Sequence, residues 1–277
     1  MVSDAVTQAA DPATAWLSGT VAVSGGHLAY HRTGGTGPAL VLSHGLTDNG
    51  LCWSRTAQAL TGDYDVVMLD ARGHGASSPI APGLPHDPGR DLAEAIAALG
   101  LDAPIVMGHS VGASATASCA NANPGIAARV ILEDPPFLPE IGFAEARKRR
   151  EGFRRQIAAF QSLSDAEIVS LGQKMSPNWH ADEFPAWALG KRQVDPEAAP
   201  IRFLPWQATI DAIAAPTLLI YGEVERGGLV TAATAAEAMR LNPRIRAVQI
   251  SGAGHNIRRD NFDGFLAAVR TFLADAT

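Results

Sequence analysis

Ile105-Val106-Met107-Gly108-His109-Ser110-Val111-Gly112-Ala113-Ser114-Ala115 decides the fold. A short apolar run leads into a serine with glycine two places away on either side, and an Ala- and Ser-rich helical pattern continues to Asn121. Strand, sharp turn and helix in that order are the setting of a nucleophile elbow, which exposes the serine hydroxyl at the top of a sheet. The glycines let strand and helix approach while the serine takes a strained backbone conformation. Ser110 is therefore a candidate nucleophile. A serine hydroxyl is weak at neutral pH and requires a base within hydrogen-bond reach, a role for which histidine is suited.

Outward from the elbow, short apolar runs alternate with helical patterns, as in a mainly parallel sheet covered by helices. Residues 20–23 and 28–32, separated by a turn at Ser24, Gly25 and Gly26, read as an antiparallel hairpin. Residues 39–43, 65–69, 105–107, 130–132, 217–221 and 247–250 read as further strands, most of them buried on both faces, for an eight-stranded, mostly parallel sheet. Helical patterns cover 51–60, 89–99, 111–121, 231–241 and 260–274. From Asp134 to Pro216 the alternation stops, and helical stretches, prolines and the basic cluster Arg147, Lys148, Arg149, Arg150, Arg154, Arg155 replace it. The expectation is an α/β core of residues 1–134 and 206–277 with a helical cap inserted at 135–205. The basic cluster reads as a solvated helix face, with an anionic-substrate role as its alternative.

Three more segments join the elbow in a recognisable order: Ser43-His44-Gly45-Leu46 after the third predicted strand, Asp70-Ala71-Arg72-Gly73-His74-Gly75-Ala76-Ser77 after the fourth, and Gly252-Ala253-Gly254-His255-Asn256 after the last. All lie at the carboxyl ends of strands, where open α/β sheets place their ligands. With these motifs the chain resembles the α/β-hydrolase fold superfamily over nearly its whole length. The resemblance implies a serine hydrolase in which Ser110 is nucleophile, His255 is base, and the N–H groups of Leu46 and Val111 form the oxyanion hole.

The acid that orients the imidazole has two readings. The superfamily's usual Gly-x-x-Asp after the seventh strand reads Gly222-Glu223-Val224-Glu225 here, whereas some members draw the acid from the end of the sixth strand, which reads Glu133-Asp134-Pro135-Pro136. Asp134, the shorter carboxylate and restrained by two prolines, is preferred, with Glu225 as the alternative and Glu223 and Glu133 behind them. His44 props the oxyanion loop, His109 points away from the nucleophile, and His74 sits in the turn after the fourth strand. His44, Trp53, Phe137, Trp179 and Trp187 are the candidate pocket residues. The expected reaction is cleavage of a carboxylic ester or lactone through an acyl-enzyme, with neither cofactor nor metal. An amidase or C–C bond hydrolase on the same triad is the alternative, and a hydrolase-fold receptor with little turnover is the rival of another class.

Composition bounds the partners. Twenty-two Lys and Arg against 28 Asp and Glu leave a net charge of −6, which offers no general attraction to phosphate backbones or anionic membranes. A small-molecule substrate is expected, with no nucleic acid and no membrane, and the oligomeric state is open. Cys52 and Cys119 show no metal-ligand or disulfide spacing and read as buried thiols of a reducing compartment. Residues 1–16 lack the basic and apolar regions of a signal peptide, and no apolar run reaches the roughly 18 residues of a membrane span, so a cytoplasmic protein is expected. Gly34-Gly35-Thr36-Gly37-Pro38 precedes a strand, lacks the phosphate-loop lysine and reads as a turn.

Overall fold

A computed structural model describes residues 16–81, 86–200 and 205–275. Almost all of the segment read for targeting signals, and residues 201–204 of the expected cap, lie outside the described residues. β1 (Leu17–Val23) and β2 (Gly26–Arg32) form the hairpin, with Gly25 at φ 77° in the two-residue turn. Glycine takes that conformation without strain, and strand pairing therefore continues right to the turn. β3 (Ala39–Ser43), β4 (Asp65–Leu69), β5 (Ile105–His109), β6 (Arg129–Glu133), β7 (Thr217–Tyr221) and β8 (Ile245–Gln249) complete an eight-stranded sheet of order β1-β2-β4-β3-β5-β6-β7-β8. β2 joins β4 antiparallel, and every pairing from β4 to β8 is parallel.

The apolar strands sort their alternate residues onto two faces. Val41, Val67, Val106, Val130 and Leu219 point into one core layer, and Leu40, Leu42, Val66, Met68, Met107, Ile131 and Leu218 into the other. α2 (Pro88–Ala98), α3 (Val111–Ala122) and α8 (Ala232–Leu241) cover the first face with small and aliphatic residues such as Leu92, Ala113, Ala117 and Ala235. α1 (Ser54–Leu60) and α10 (Phe262–Ala274) cover the second with Ala57, Leu60, Phe265, Val269 and Phe272. Burial on both faces is what turns β3 to β6 into solid apolar runs.

Most strands run one to three residues beyond the sequence reading, β1 starting at Leu17 and β5 ending at His109, and three further boundary differences have a visible cause. Residues 50–53 form a 3-10 turn before α1, because the Gly50 N–H is drawn 2.7 Å from the Asp70 carboxylate. The helix expected over 260–274 begins only at Phe262 as α10, because Asn261, whose side chain accepts from the Gly264 N–H at 3.0 Å, separates it from a short helix that the sequence reading lacked, α9 (Ile257–Asp260). β8 begins two residues early, since as an edge strand it pairs only with β7 and exposes one face, so its apolar content understates it.

Between β6 and β7 no strand occurs among the described residues. The chain instead carries α4 (Phe143–Gln161), α5 (Asp165–Met175) and α6 (Glu183–Gln193), and α7 (Trp206–Ile210) follows before β7. α5 starts in a capping box made by Ser164 and Glu167. The inserted helices bury a small core of their own: Phe160, Ile168, Trp179, Phe184, Trp187 and Ala188. Trp187 stands edge-on to Phe160 at 5.7 Å and to Trp179 at 6.2 Å between ring centroids. Trp187→Ala is expected to lower unfolding free energy by about 3–5 kcal/mol, the cost of emptying an aromatic site in a packed core. Urea titration checks this, and a loss below about 1 kcal/mol would show that the ring is not core.

Candidate active site

The elbow is built by backbone crowding. A Cβ on Gly108 would lie 2.3 Å from the Gly112 carbonyl oxygen, and one on Gly112 would lie 2.4 Å from the carbonyl oxygens of Ser43 and His44. Only glycine fits either place. Between them Ser110 takes φ 55°, ψ −122°, a region that side chains rarely adopt, and its N–H donates to the Glu133 carbonyl at 2.9 Å.

One strand over, Asp134 repeats the device. It follows β6 at φ 42°, and its N–H donates to the Ile220 carbonyl at 2.8 Å. Its buried carboxylate accepts from the Leu229 N–H at 2.9 Å, the Val230 N–H at 3.2 Å and His255 Nδ1 at 2.6 Å. A carboxylate only accepts, so the proton sits on Nδ1 and the lone pair on Nε2, which faces Ser110 Oγ at 3.1 Å. The structure thus brings Asp134, His255 and Ser110 into one hydrogen-bonded line. Glu225 lies exposed on the 3-10 turn Val224–Arg226. Glu223 accepts from the Gly252 N–H and pairs with Arg226, and Glu133 is buried against Arg258, so none of these three is the partner of His255.

Packing of backbone on backbone also places His255. A Cβ on Gly222 would lie 2.2 Å from the Gly254 carbonyl oxygen, and one on Gly254 would lie 2.1 Å from the Arg226 carbonyl oxygen. His109 Nε2 reaches the His255 carbonyl at 2.9 Å, which gives the histidine beside Ser110 a place of its own against His255.

The loop after β3 lies against Ser110, where a Cβ on Gly45 would be 3.4 Å from the serine Cβ. Its carbonyls are held in turn. The Ala71 N–H donates to His44 Nε2 at 3.0 Å, which puts the ring proton on Nδ1, and Nδ1 donates to the Gly45 carbonyl at 2.8 Å. His74 Nε2 bonds the Leu46 carbonyl. Leu46 and Val111 both border a cavity of about 770 Å³ beside the elbow. Its floor is the small-residue stripe Val111, Ser114, Ala115 and Ser118 of α3, and its far wall includes Arg150, Glu197 and Ala199 from the inserted segment.

Of the expected pocket residues, His44 borders this cavity and the four aromatic ones do not. Trp179 and Trp187 fill the core of the inserted helices, Phe137 stacks on Trp206 at 4.8 Å, and Trp53 is sealed beneath the Arg258 guanidinium. Each is large and apolar, and core packing claimed it first. The sequence reading also missed a buried ionic cluster in which Asp48, Glu133 and Glu183 meet Lys191, Arg258 and Arg259. Its visible signal was the pair of arginines three and four places after His255. Burial alone would raise the Asp48 carboxyl, but the Arg259, Lys191 and Arg258 charges hold it well below the usual carboxylate range.

Residues 40–268 match the model of the alpha/beta hydrolase family. The chain is 32% identical to N-formylmaleamate deformylase of Pseudomonas putida, over 92% of this chain and 96% of that protein. It is 27% identical to pimeloyl-[acyl-carrier protein] methyl ester esterase of Vibrio parahaemolyticus, over 87% and 96% respectively. The crystal structure of E-2-(acetamidomethylene)succinate hydrolase superposes with a TM-score of 0.78 at 22% identity, covering 94% of this chain and all of that one.

Burial moves His44 and His74 from the ordinary 6.5 down to about 4, the latter helped by its neighbour His44. Between those values the unfolded chain binds protons that the folded one refuses. Their contribution to stability is complete above pH 6.5, falls as the pH drops, and is gone below about 4. At pH 5 the loss is about 2 kcal/mol per ring. Unfolding titrations at pH 7.5 and pH 5 check this, and equal stability at the two would refute it.

Proposed function

The chain belongs to the alpha/beta hydrolase family, and we propose that it is a serine hydrolase cleaving a carboxylic ester or amide through an acyl-enzyme. The observation that carries the reading is the line from Asp134 through His255 to Ser110, at 2.6 and 3.1 Å. Ser110 Oγ attacks the substrate carbonyl while His255 Nε2 takes its proton. Asp134 keeps the imidazole in the Nδ1–H tautomer and stabilises the imidazolium. The N–H groups of Leu46 and Val111 receive the negative oxygen of the tetrahedral intermediate. His255 then returns the proton to the leaving alkoxide or amine, and water, activated by the same histidine, releases the acid.

Ester and lactone cleavage follow from this chemistry, and the deformylase relative favours amide cleavage over C–C bond cleavage or a receptor role. The segment 135–205 acts as a cap in this proposal, because Arg150, Glu197 and Ala199 wall the cavity beside the elbow. The partner is a small molecule held in that cavity. The two buried free thiols, Cys52 and Cys119, suit a reducing compartment and a cytoplasmic location.

A fluorophosphonate probe is expected to label Ser110, located by peptide mass spectrometry, and Ser110→Ala to lose labelling and all but residual turnover. Asp134→Asn keeps the shape, presents the wrong donor to the ring, and is expected to slow turnover by about 10⁴. Glu225→Gln is expected to leave the rate unchanged. Assay of nitrophenyl esters, lactones and formamides separates the substrate classes. Unaltered turnover by Ser110→Ala, or a greater loss in Glu225→Gln than in Asp134→Asn, overturns the assignment.

A further inference from the structure

The loop that carries Leu46 is held by a side chain from the inserted helices. Lys191, in the last turn of α6, is buried, and its ammonium donates to the Thr47 carbonyl at 2.9 Å and to Thr47 Oγ1 at 2.7 Å. It lies 3.4 Å from Asp48 Oδ1 and 4.6 Å from the centroid of the Trp187 ring. Beside it α6 presses on the same loop: a Cβ on Gly190 would lie 3.0 Å from Asp48 Cα, and Asn49 Nδ2 donates to Gln193 Oε1 at 2.9 Å.

These contacts lead to the oxyanion side through planar peptide units. Lys191 holds the carbonyl of the Thr47–Asp48 unit, whose N–H donates to the Gly45 carbonyl at 3.1 Å. That carbonyl belongs to the Gly45–Leu46 unit, so its direction sets the opposite direction of the Leu46 N–H, because a trans peptide is flat and its two polar groups are antiparallel. His44 supports the Gly45 carbonyl and His74 the Leu46 carbonyl from the core, leaving the Thr47 carbonyl to Lys191. Three successive carbonyls thus have one dedicated side-chain donor each, and the third comes from the segment inserted between β6 and β7.

We propose that Lys191 is a positioning residue through which the inserted helices set the oxyanion donor of Leu46. The proposal rests on the serine-hydrolase reading above. It makes a full oxyanion hole conditional on the Lys191 ammonium reaching the Thr47 carbonyl. An ammonium suits this role, since it offers three donors from one point, enough for Thr47 O, Thr47 Oγ1 and Asp48 together.

The test compares Lys191→Met, Lys191→Arg and Gln193→Ala on one good ester. Gln193→Ala cuts the Asn49 contact of α6 without touching Thr47, and is expected to leave kcat unchanged. Lys191→Met is expected to lower kcat by about tenfold to a hundredfold, less than outright loss of an oxyanion donor, with KM little changed. A trifluoromethyl ketone, which forms a tetrahedral adduct on the serine, should lose affinity in parallel with kcat/KM. Lys191→Arg is expected to restore part of kcat. If Lys191→Met does not fold, Lys191→Gln, which keeps an N–H donor without charge, should show the same split at smaller size. Unchanged kcat in the Lys191 variants overturns the proposal, as does an equal fall in Gln193→Ala, which would reduce Lys191 to a general docking contact. Turnover or probe labelling that survives Ser110→Ala would instead remove the underlying serine reading.

Discussion

Three carboxylates and three cations share a site with almost no exposure to water, and Asp48 is its hub. Its carboxylate faces Arg258 at 2.9 Å, Arg259 at 3.1 Å and Lys191 at 3.4 Å, while Glu133 and Glu183 balance the two arginines. Taking each ion out of water costs several kcal/mol, and the cluster is tolerable because every charge has a close opposite one. Losing any one member strands the others, a change that typically destabilises by about 3–5 kcal/mol. The members come from the loop after β3, the tip of β6, α6 and α9. A single electrostatic requirement therefore fixes the relative placement of the loop that carries Leu46, the strand that leads to Asp134, the inserted helices and the segment that follows His255.

The sheet supplies the second constraint. Ser110 and Asp134 each occupy a backbone region whose occupation costs of order 1–3 kcal/mol, and such residues persist only where the surroundings over-determine them. Each is pinned by its own N–H to the next strand, Ser110 to the Glu133 carbonyl and Asp134 to the Ile220 carbonyl. The parallel ladder thus continues one residue past the regular ends of β5 and β6 and carries both strained positions with it. Ser110 and Asp134 leave adjacent strands at one level of the sheet, and His255, which joins them, need only come from the loop beyond β8.

Much of this was legible in the sequence because it is written in period and in spacing. The solid apolar runs at 39–43, 65–69 and 105–107 record burial on both faces, and the glycines at 108 and 112 record an approach that no Cβ allows. The aromatic residues were misleading, since Trp53, Phe137, Trp179 and Trp187 are as suitable for a core as for a pocket, and one sequence does not say which layer meets them. The ionic cluster was hidden for another reason. Asp48, Glu133, Glu183, Lys191 and the two arginines are spread over more than 200 positions, and charged residues in isolation read as surface.

Asp134 and Glu225 show how a loop can keep its spacing while the carboxylate that meets the histidine comes from another strand. The segment after β7 has the length and the glycine of the usual acid-bearing turn, and Glu225 falls at the right spacing. In the folded chain that turn faces solvent, and the next few residues return to the site as backbone: the N–H groups of Leu229 and Val230 both point at Asp134. The loop therefore takes part by donating hydrogen bonds to a carboxylate supplied by β6. Backbone donors leave no mark in side-chain identity, so the spacing of carboxylates alone could not separate the two arrangements. What does separate them in the folded chain is the left-handed backbone at Asp134, whose short side chain meets His255 Nδ1 at 2.6 Å while Glu225 stays in solvent.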